Sequence, residues 1–179
     1  MLSSWPTKIS HLWPYSIGHG VARVAFIEEP TSQVPIMVEQ RLYFSKLSPA
    51  TYEALVSASM SLDKSSLPKM LIELIFMRVS QINGCAFCLD MHGKFLRNHG
   101  FDNAKMDVIA GWKLSNLFSE AERAALDWAE AVTHITTSGT PDSTFNALKA
   151  HFTDTQISDL TFAISIMNAF NRLAVSLRQ

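Results

Sequence analysis

Cysteine is scarce in this chain. The 179 residues include only two cysteines, Cys85 and Cys88, which lie three positions apart. The disulfides of small secreted domains normally close long loops, and a bridge across two intervening residues constrains the unfolded chain very little. The sequence therefore excludes a disulfide framework. In a cytosolic protein, a close cysteine pair is typical of catalytic, redox or metal-binding sites.

Charge is also sparse and nearly balanced. Fifteen Lys and Arg face sixteen Asp and Glu, which gives a formal net charge of −1, and charged residues make up 17% of the chain against 47% hydrophobic ones. No global positive field favours nucleic acid or an anionic membrane as a partner. The low charged fraction predicts that some apolar surface is buried between subunits, so we expect a homo-oligomer (a dimer, trimer or hexamer).

Long hydrophobic runs are missing as well. No run approaches the roughly 20 apolar residues of a membrane span. The first fifteen residues contain Lys8, His11 and two prolines and lack the continuous apolar core of a signal peptide. We therefore expect a cytoplasmic protein without a membrane partner.

The chain divides into two regions. Residues 1–47 contain four of the seven prolines and show no clean hydrophobic period, so we predict an irregular N-terminal arm. Helix signals recur in residues 48–179. Ser48-Pro49 is typical of a helix start, with the serine hydroxyl as the cap. We predict an all-α bundle of about six or seven helices over 48–179.

Two later helix starts carry a stronger signal. Ser119 with Glu122, and Thr153 with Gln156, both have the capping-box spacing. The first opens a helix that we expect to reach about Thr136. The second opens an apolar final helix that carries two amides, Asn168 and Asn171, which we expect to be hydrogen-bonded within the fold.

The cysteine pair is followed by a histidine at helical spacing. Cys85, Cys88 and His92 occupy positions i, i+3 and i+7, which places all three on one face if the stretch is helical. A helix N-terminus and a nearby histidine both favour the thiolate, which is the nucleophilic form. Such a thiolate is suited to attack on a peroxide or a disulfide. Either cysteine could attack first.

A carboxylate that orients the histidine would complete this arrangement. Glu73 lies among apolar residues in the preceding predicted helix, and the Asn83-Gly84 turn should fold that helix back against the cysteine helix. Asp90 is nearer His92 in sequence but should face elsewhere on the helix. Glu73 is therefore the candidate partner.

Two other uses of these residues remain open. Glu73, Cys85, Cys88 and His92 could together supply four zinc ligands, but the second close Cys or His pair of a structural zinc site is missing. The thiols could also be buried and inert. We favour a redox site over both.

The motif and its flanks resemble a known family. The order Glu73, eleven residues, Cys85, two residues, Cys88, three residues, His92 is similar to the signature of the alkylhydroperoxidase D-like proteins, within the carboxymuconolactone decarboxylase superfamily. The segments 77–92 and 166–173 also resemble the core and the closing helix of that family. The resemblance covers about residues 48–178.

This resemblance implies an all-helical homo-oligomer that reduces hydrogen peroxide or organic hydroperoxides without a cofactor. Cys88 and Cys85 would cycle between dithiol and disulfide, while Glu73 and His92, through a water molecule, relay the proton from Cys88. The reductant would be a dithiol, such as a lipoyl or thioredoxin-like protein.

One departure from the family pattern affects the expected activity. The best-studied peroxidase branch has a histidine immediately before the second cysteine, where this chain has Phe87. The alternative is therefore a thiol–disulfide exchange or redox-sensing protein without efficient peroxidase activity. Lactone decarboxylation fits less well, because that branch generally lacks the cysteine pair.

Overall fold

Helices account for the regular structure of residues 39–179. The computed structural model describes residues 39–179, and within them there is no β-strand. The α-helices are α1 (Phe44–Leu47), α2 (Pro49–Ser61), α3 (Lys69–Asn83), α4 (Ala86–Asn98), α5 (Asn103–Val108), α6 (Glu120–Thr133), α7 (Asp142–Lys149) and α8 (Asp154–Leu177). Two 3₁₀ segments, Leu62–Lys64 and Ile109–Leu114, follow α2 and α5. The predicted all-α class is confirmed.

The core forms where α3 packs against α4, α6 and α8. In α3 the apolar side chains Leu74, Ile75 and Val79 are fully buried, and α8 places Leu160 and Ile164 in the same cluster. Burial of a side chain of this size stabilises the fold by about 1.5–3 kcal/mol. This packing holds α3 rigidly beneath the cysteine helix α4.

Both predicted capping boxes are present. The Ser119 hydroxyl accepts the Glu122 N–H at the start of α6, and the Glu122 carboxylate accepts the Ser119 N–H. Thr153 and Gln156 make the same reciprocal pair at the start of α8. These bonds satisfy backbone donors that have no partner within the helix.

Other helix boundaries differ from the prediction. Ser48 precedes α2, but its hydroxyl makes no capping bond, so that part of the prediction is wrong. Helix α6 ends at Thr133 rather than near Thr136, because residues 134–138 form turns that close on the His134 carbonyl. Helix α1 falls inside the predicted arm 1–47, and the arm's residues 1–38 lie outside the described residues.

Helix α8 is long and apolar. By length and composition it could cross a membrane, with a mean hydropathy of 1.3 over its most apolar window. In the fold it is a core helix instead, since nine of its residues are buried, among them Asn168 and Asn171. Such packing explains its composition without a membrane.

Candidate active site

A tight turn joins α3 to α4 and positions the first cysteine. Gly84 has φ of +66°, a left-handed conformation that a residue with a side chain rarely adopts. Its N–H donates to the Gln81 carbonyl, and the Cys85 N–H donates to the Ser80 carbonyl at 3.1 Å. The turn therefore ends α3 and starts α4 within two residues.

The two cysteines lie at the N-terminus of α4 and are joined by a disulfide. Their α-carbons are 5.4 Å apart, within the range that a disulfide requires. Cys85 is the N-cap residue in an extended conformation, and its sulfur accepts the Cys88 N–H at 3.4 Å. Cys85 thus precedes the helix rather than lying on its face, whereas Cys88 and His92 are one turn apart on the buried face of α4.

The structure brings His92 and Glu73 together. His92 Nδ1 lies 2.7 Å from Glu73 Oε2, and both side chains are buried. Because an ionised carboxylate only accepts hydrogen bonds, the proton of the neutral ring belongs on Nδ1, which leaves Nε2 as an acceptor. His92 Nε2 is buried and has no hydrogen-bond partner within residues 39–179.

Glu73 also faces a cation at the edge of the fold. Lys69 Nζ lies 3.7 Å from Glu73 Oε1 and 2.6 Å from Asp63 Oδ1. Lys69 is about half exposed, so this pair connects the buried carboxylate to the surface. Asp90 instead pairs with Lys94 on the exposed side of α4, away from the His92 contact.

A cavity of about 300 Å³ adjoins the second cysteine. We call it the His92 cavity, because Cys88 and His92 both line it. Most of its other lining side chains are apolar, including Val56, Met60 and Phe170. Nothing in the sequence indicated that residues of α2 would line this cavity, because α2 has almost no amphipathic pattern. In the fold it buries none of its residues.

A second cavity of about 320 Å³ adjoins the first cysteine. We call it the Val175 cavity, and it is lined by Cys85, Ala86, Val175 and Arg178. Neither Cys88 nor His92 lines it. Phe87, Ala174 and Gln179 line both cavities and therefore separate them. Phe87 is 47% exposed and stands between the two openings.

A network of amides fixes the turn before Cys85. Asn83 Nδ2 donates to the side-chain oxygens of Asn168 and Asn171, at 2.9 and 3.0 Å. Asn171 is fully buried and donates to the Ser80 hydroxyl at 3.1 Å. Asn168 accepts a further bond from Arg172 and donates to Thr133. The network joins the end of α3 to α8, and it satisfies both amides as expected.

Glu130 and Lys113 have shifted pKa values, and both lie outside the candidate site, in a cluster around Glu130. Burial raises the Glu130 pKa, but hydrogen bonds from Trp112, Lys113 and Arg78 outweigh this effect and hold it below 4.5. The hydrogen bond to Glu130 is the main cause that raises the Lys113 pKa above 10.5. This cluster joins α3, α6 and the Ile109–Leu114 segment, and its role is structural.

A metal site is not formed by the side chains described. Over residues 39–179 no group of three or more His, Cys, Asp or Glu side chains is arranged to hold an ion. The four residues weighed above as zinc ligands are instead engaged as a disulfide and as a hydrogen-bonded pair.

Comparison with known proteins identifies the family of this chain. Residues 49–131 match the carboxymuconolactone decarboxylase family, and this segment contains Glu73, Cys85, Cys88 and His92. The chain is 30% identical to the uncharacterized protein YdfG of Bacillus subtilis over 78% of its own length and 95% of that protein. A solved protein of unknown function from Agrobacterium tumefaciens, for which a role as the antioxidant defence protein AhpD has been proposed, is 40% identical. It superposes with a TM-score of 0.76, over 79% of this chain and 97% of that one.

The chain belongs to the carboxymuconolactone decarboxylase superfamily and is an alkylhydroperoxidase D-like protein. A peroxidase-related protein from Ralstonia eutropha, described as an alkylhydroperoxidase AhpD core, has the same fold with a TM-score of 0.66 at 26% identity. That match covers 75% of this chain and 72% of that one. The expected family fold is therefore confirmed for this alkylhydroperoxidase D-like chain.

Proposed function

We propose that this protein is a thiol-dependent peroxidase that reduces hydrogen peroxide or organic hydroperoxides. The observation that carries the proposal is the cavity that Cys88 and His92 share, together with the contact of 2.7 Å between Glu73 and the Nδ1 atom of His92. A base oriented by a carboxylate is the arrangement that activates a nucleophile. We assign Cys88 as the attacking residue, since Cys85 does not line this cavity.

The cycle begins from the dithiol. His92 Nε2 takes the proton of the Cys88 thiol, and the thiolate attacks one peroxide oxygen. The O–O bond breaks, the alcohol or water leaves with the proton, and Cys88 becomes a sulfenic acid. The Cys85 sulfur then attacks the Cys88 sulfur, the S–O bond breaks, and the hydroxide leaves as water with the proton of the Cys85 thiol, which gives the Cys85–Cys88 disulfide.

Two cysteine variants test this assignment. One equivalent of cumene hydroperoxide should remove two hydrogens from the wild-type dithiol, and mass spectrometry should map the change to Cys85–Cys88. Cys88→Ser should lose peroxide consumption, whereas Cys85→Ser should retain one turnover and form a sulfenic acid that dimedone traps at Cys88. Undiminished peroxide consumption by Cys88→Ser would refute the role of that residue.

The reductant and the assembly belong to the same proposal. A dithiol, carried by a lipoyl or thioredoxin-like protein, would return the disulfide to the dithiol in the cytoplasm.

Two features support a homo-oligomer: α2 buries none of its residues within the described chain, and Met60 is 64% exposed. Light scattering after size exclusion would test the assembly, and a monomer at micromolar concentration would contradict it.

Phe87 supports a second candidate function. Its ring stands beside the disulfide where a proton donor would stand in the best-studied peroxidase branch. A thiol–disulfide exchange or redox-sensing protein would have a working disulfide but no peroxide turnover. The reduction potential of the pair, measured together with peroxide consumption, separates the two candidates.

A further inference from the structure

The two cysteines of the disulfide line different cavities. Cys88 lines the His92 cavity, and Cys85 lines the Val175 cavity. Both residues are almost completely buried, at 3% and 1% exposure. Each cavity therefore offers a reactant an approach to one of the two cysteines.

We infer that the Val175 cavity is the entry site of the reductant, which attacks Cys85, while the peroxide uses the His92 cavity. This inference rests on the proposed dithiol cycle. It adds a second binding site to that cycle and names which sulfur the reductant attacks.

The depth of Cys85 indicates the chemical class of the reductant. Cys85 is 1% exposed and lines a recess of about 320 Å³, bordered by Phe87, Ala174 and Val175. A thiol on a slender, unbranched alkyl chain fits such a recess. A thiol fixed on a broad protein surface would have to displace Phe87 or the end of α8 before it reached the sulfur. We therefore expect an unbranched alkyl dithiol, free or at the end of a flexible arm.

The steps balance as a two-electron reduction. The thiolate of the reductant attacks Cys85 Sγ, the bond between the two cysteines breaks, and the electron pair passes to Cys88 Sγ. The released Cys88 thiolate lies beside His92 and takes up a proton there. The second thiolate of the dithiol then attacks its own mixed disulfide and releases Cys85. The Cys88 N–H, which already donates to the Cys85 sulfur, stabilises the released thiolate.

Separate entry has a chemical advantage for the cycle. The His92 cavity keeps its apolar wall and its histidine for the peroxide, and no second ligand has to leave it before reduction. Phe87, Ala174 and Gln179 lie between the two cavities, because they line both.

A matched pair of valine variants tests the inference. Val175 lines only the cavity at Cys85, and Val56 lines only the cavity at Cys88. Both side chains are partly exposed, so tryptophan at either position extends into a cavity rather than into the core. Val175→Trp and Val56→Trp therefore obstruct one cavity each, and circular dichroism checks that both variants fold.

Each half of the cycle is measured separately on both variants. Protein oxidised with diamide is reduced with dithiothreitol, and reduced protein is oxidised with cumene hydroperoxide; free thiols are counted after rapid quenching. Val175→Trp should slow reduction by about tenfold or more and leave oxidation unchanged, because a displaced reactant loses its aligned attack. Val56→Trp should instead slow oxidation by about tenfold or more and leave reduction unchanged.

A trapping experiment identifies the attacked sulfur. Oxidised wild-type protein is mixed briefly with 2-mercaptoethanol and quenched with N-ethylmaleimide, and its peptides are mapped. The mercaptoethanol adduct should lie on Cys85 and the maleimide on Cys88. The reverse distribution would overturn the inference.

The remaining outcomes are equally decisive. Slower reduction in Val56→Trp, or unchanged reduction in Val175→Trp, would show that the reductant does not use the Val175 cavity. Slowing of both half-reactions by Val175→Trp would refute separate entry. Since diamide supplies the oxidised protein, loss of peroxide reactivity alone would count against the proposed function and against peroxide entry at the His92 cavity, and it would leave the assignment of the Val175 cavity to the reductant standing.

Discussion

Replacement of Glu73 by glutamine gives the sharpest test of the buried pair. Glutamine has almost the same shape as glutamate, and its side-chain oxygen can still accept the His92 Nδ1–H over the observed 2.7 Å. What it removes is the negative charge that stabilises the protonated ring. It also provides an N–H donor, which permits the tautomer with its proton on Nε2, and that tautomer cannot accept the Cys88 proton.

The expected loss follows from the role of His92 as a base. General acid–base catalysis contributes about 10²- to 10⁴-fold to a rate, so Glu73→Gln should slow single-turnover oxidation of Cys88 by that factor. This corresponds to about 3–5 kcal/mol in activation free energy. The free energy of unfolding should change by only about 1–2 kcal/mol, since the variant can retain the hydrogen bond.

The assay is stopped-flow oxidation of the dithiol by cumene hydroperoxide, with urea unfolding measured in parallel. Glu122→Gln is the matched control, because Glu122 is a partly buried glutamate paired with Lys105 at 2.7 Å and lies in α6, outside the site. It should leave the oxidation rate unchanged. A folded Glu73→Gln protein that is oxidised as fast as wild type would refute the proton relay.

Three further predictions concern the structure around the site. Gly84→Ala, which forces a side chain into φ of +66°, should lower the free energy of unfolding by about 1–2 kcal/mol in urea titration; no change would refute the need for glycine in the turn. Asn171→Ala removes one of the two acceptors of the Asn83 amide and leaves the buried Ser80 hydroxyl without its partner, and it should cost about 1–3 kcal/mol, whereas alanine at the exposed Asn146 should cost almost nothing. The depressed pKa of Glu130 predicts a stabilisation that is complete above pH 4.5 and is lost as pH falls through the lower pKa of the folded state. The stability difference between wild type and Glu130→Gln should therefore shrink between pH 5 and pH 2, and a difference that is constant with pH would contradict the shift.

Local signals in the sequence predicted much of the fold. Capping boxes at Ser119 and Thr153 act over three residues, so the sequence alone contains the whole interaction. The predicted capping bond of Ser48 was wrong, because a serine before a proline identifies a helix start without fixing the direction of the hydroxyl. The end of α6 depends on turns that close after His134, and no strong breaker precedes Gly139.

The candidate site was predictable only in part. Spacing placed Cys88 and His92 on one face of α4, and the Asn83-Gly84 turn suggested that Glu73 would face them. The cavities were not predictable, because their walls combine α2, α4 and α8, and this assembly depends on tertiary packing. The polar contacts of Glu130 with Arg78 and Trp112, from three separate segments, were missed for the same reason.

The amide network beneath the cysteine turn has a consequence for how the site responds to acid. The network consists mainly of amides and a hydroxyl that do not ionise in water, on Asn83, Asn168, Asn171 and Ser80. Arg172 keeps its charge at every pH that the fold tolerates. The bonds that hold Cys85 in place are therefore the same in an acidified and a neutral solution. The placement of Cys85 at the start of α4 is thereby independent of the acidity of the solution.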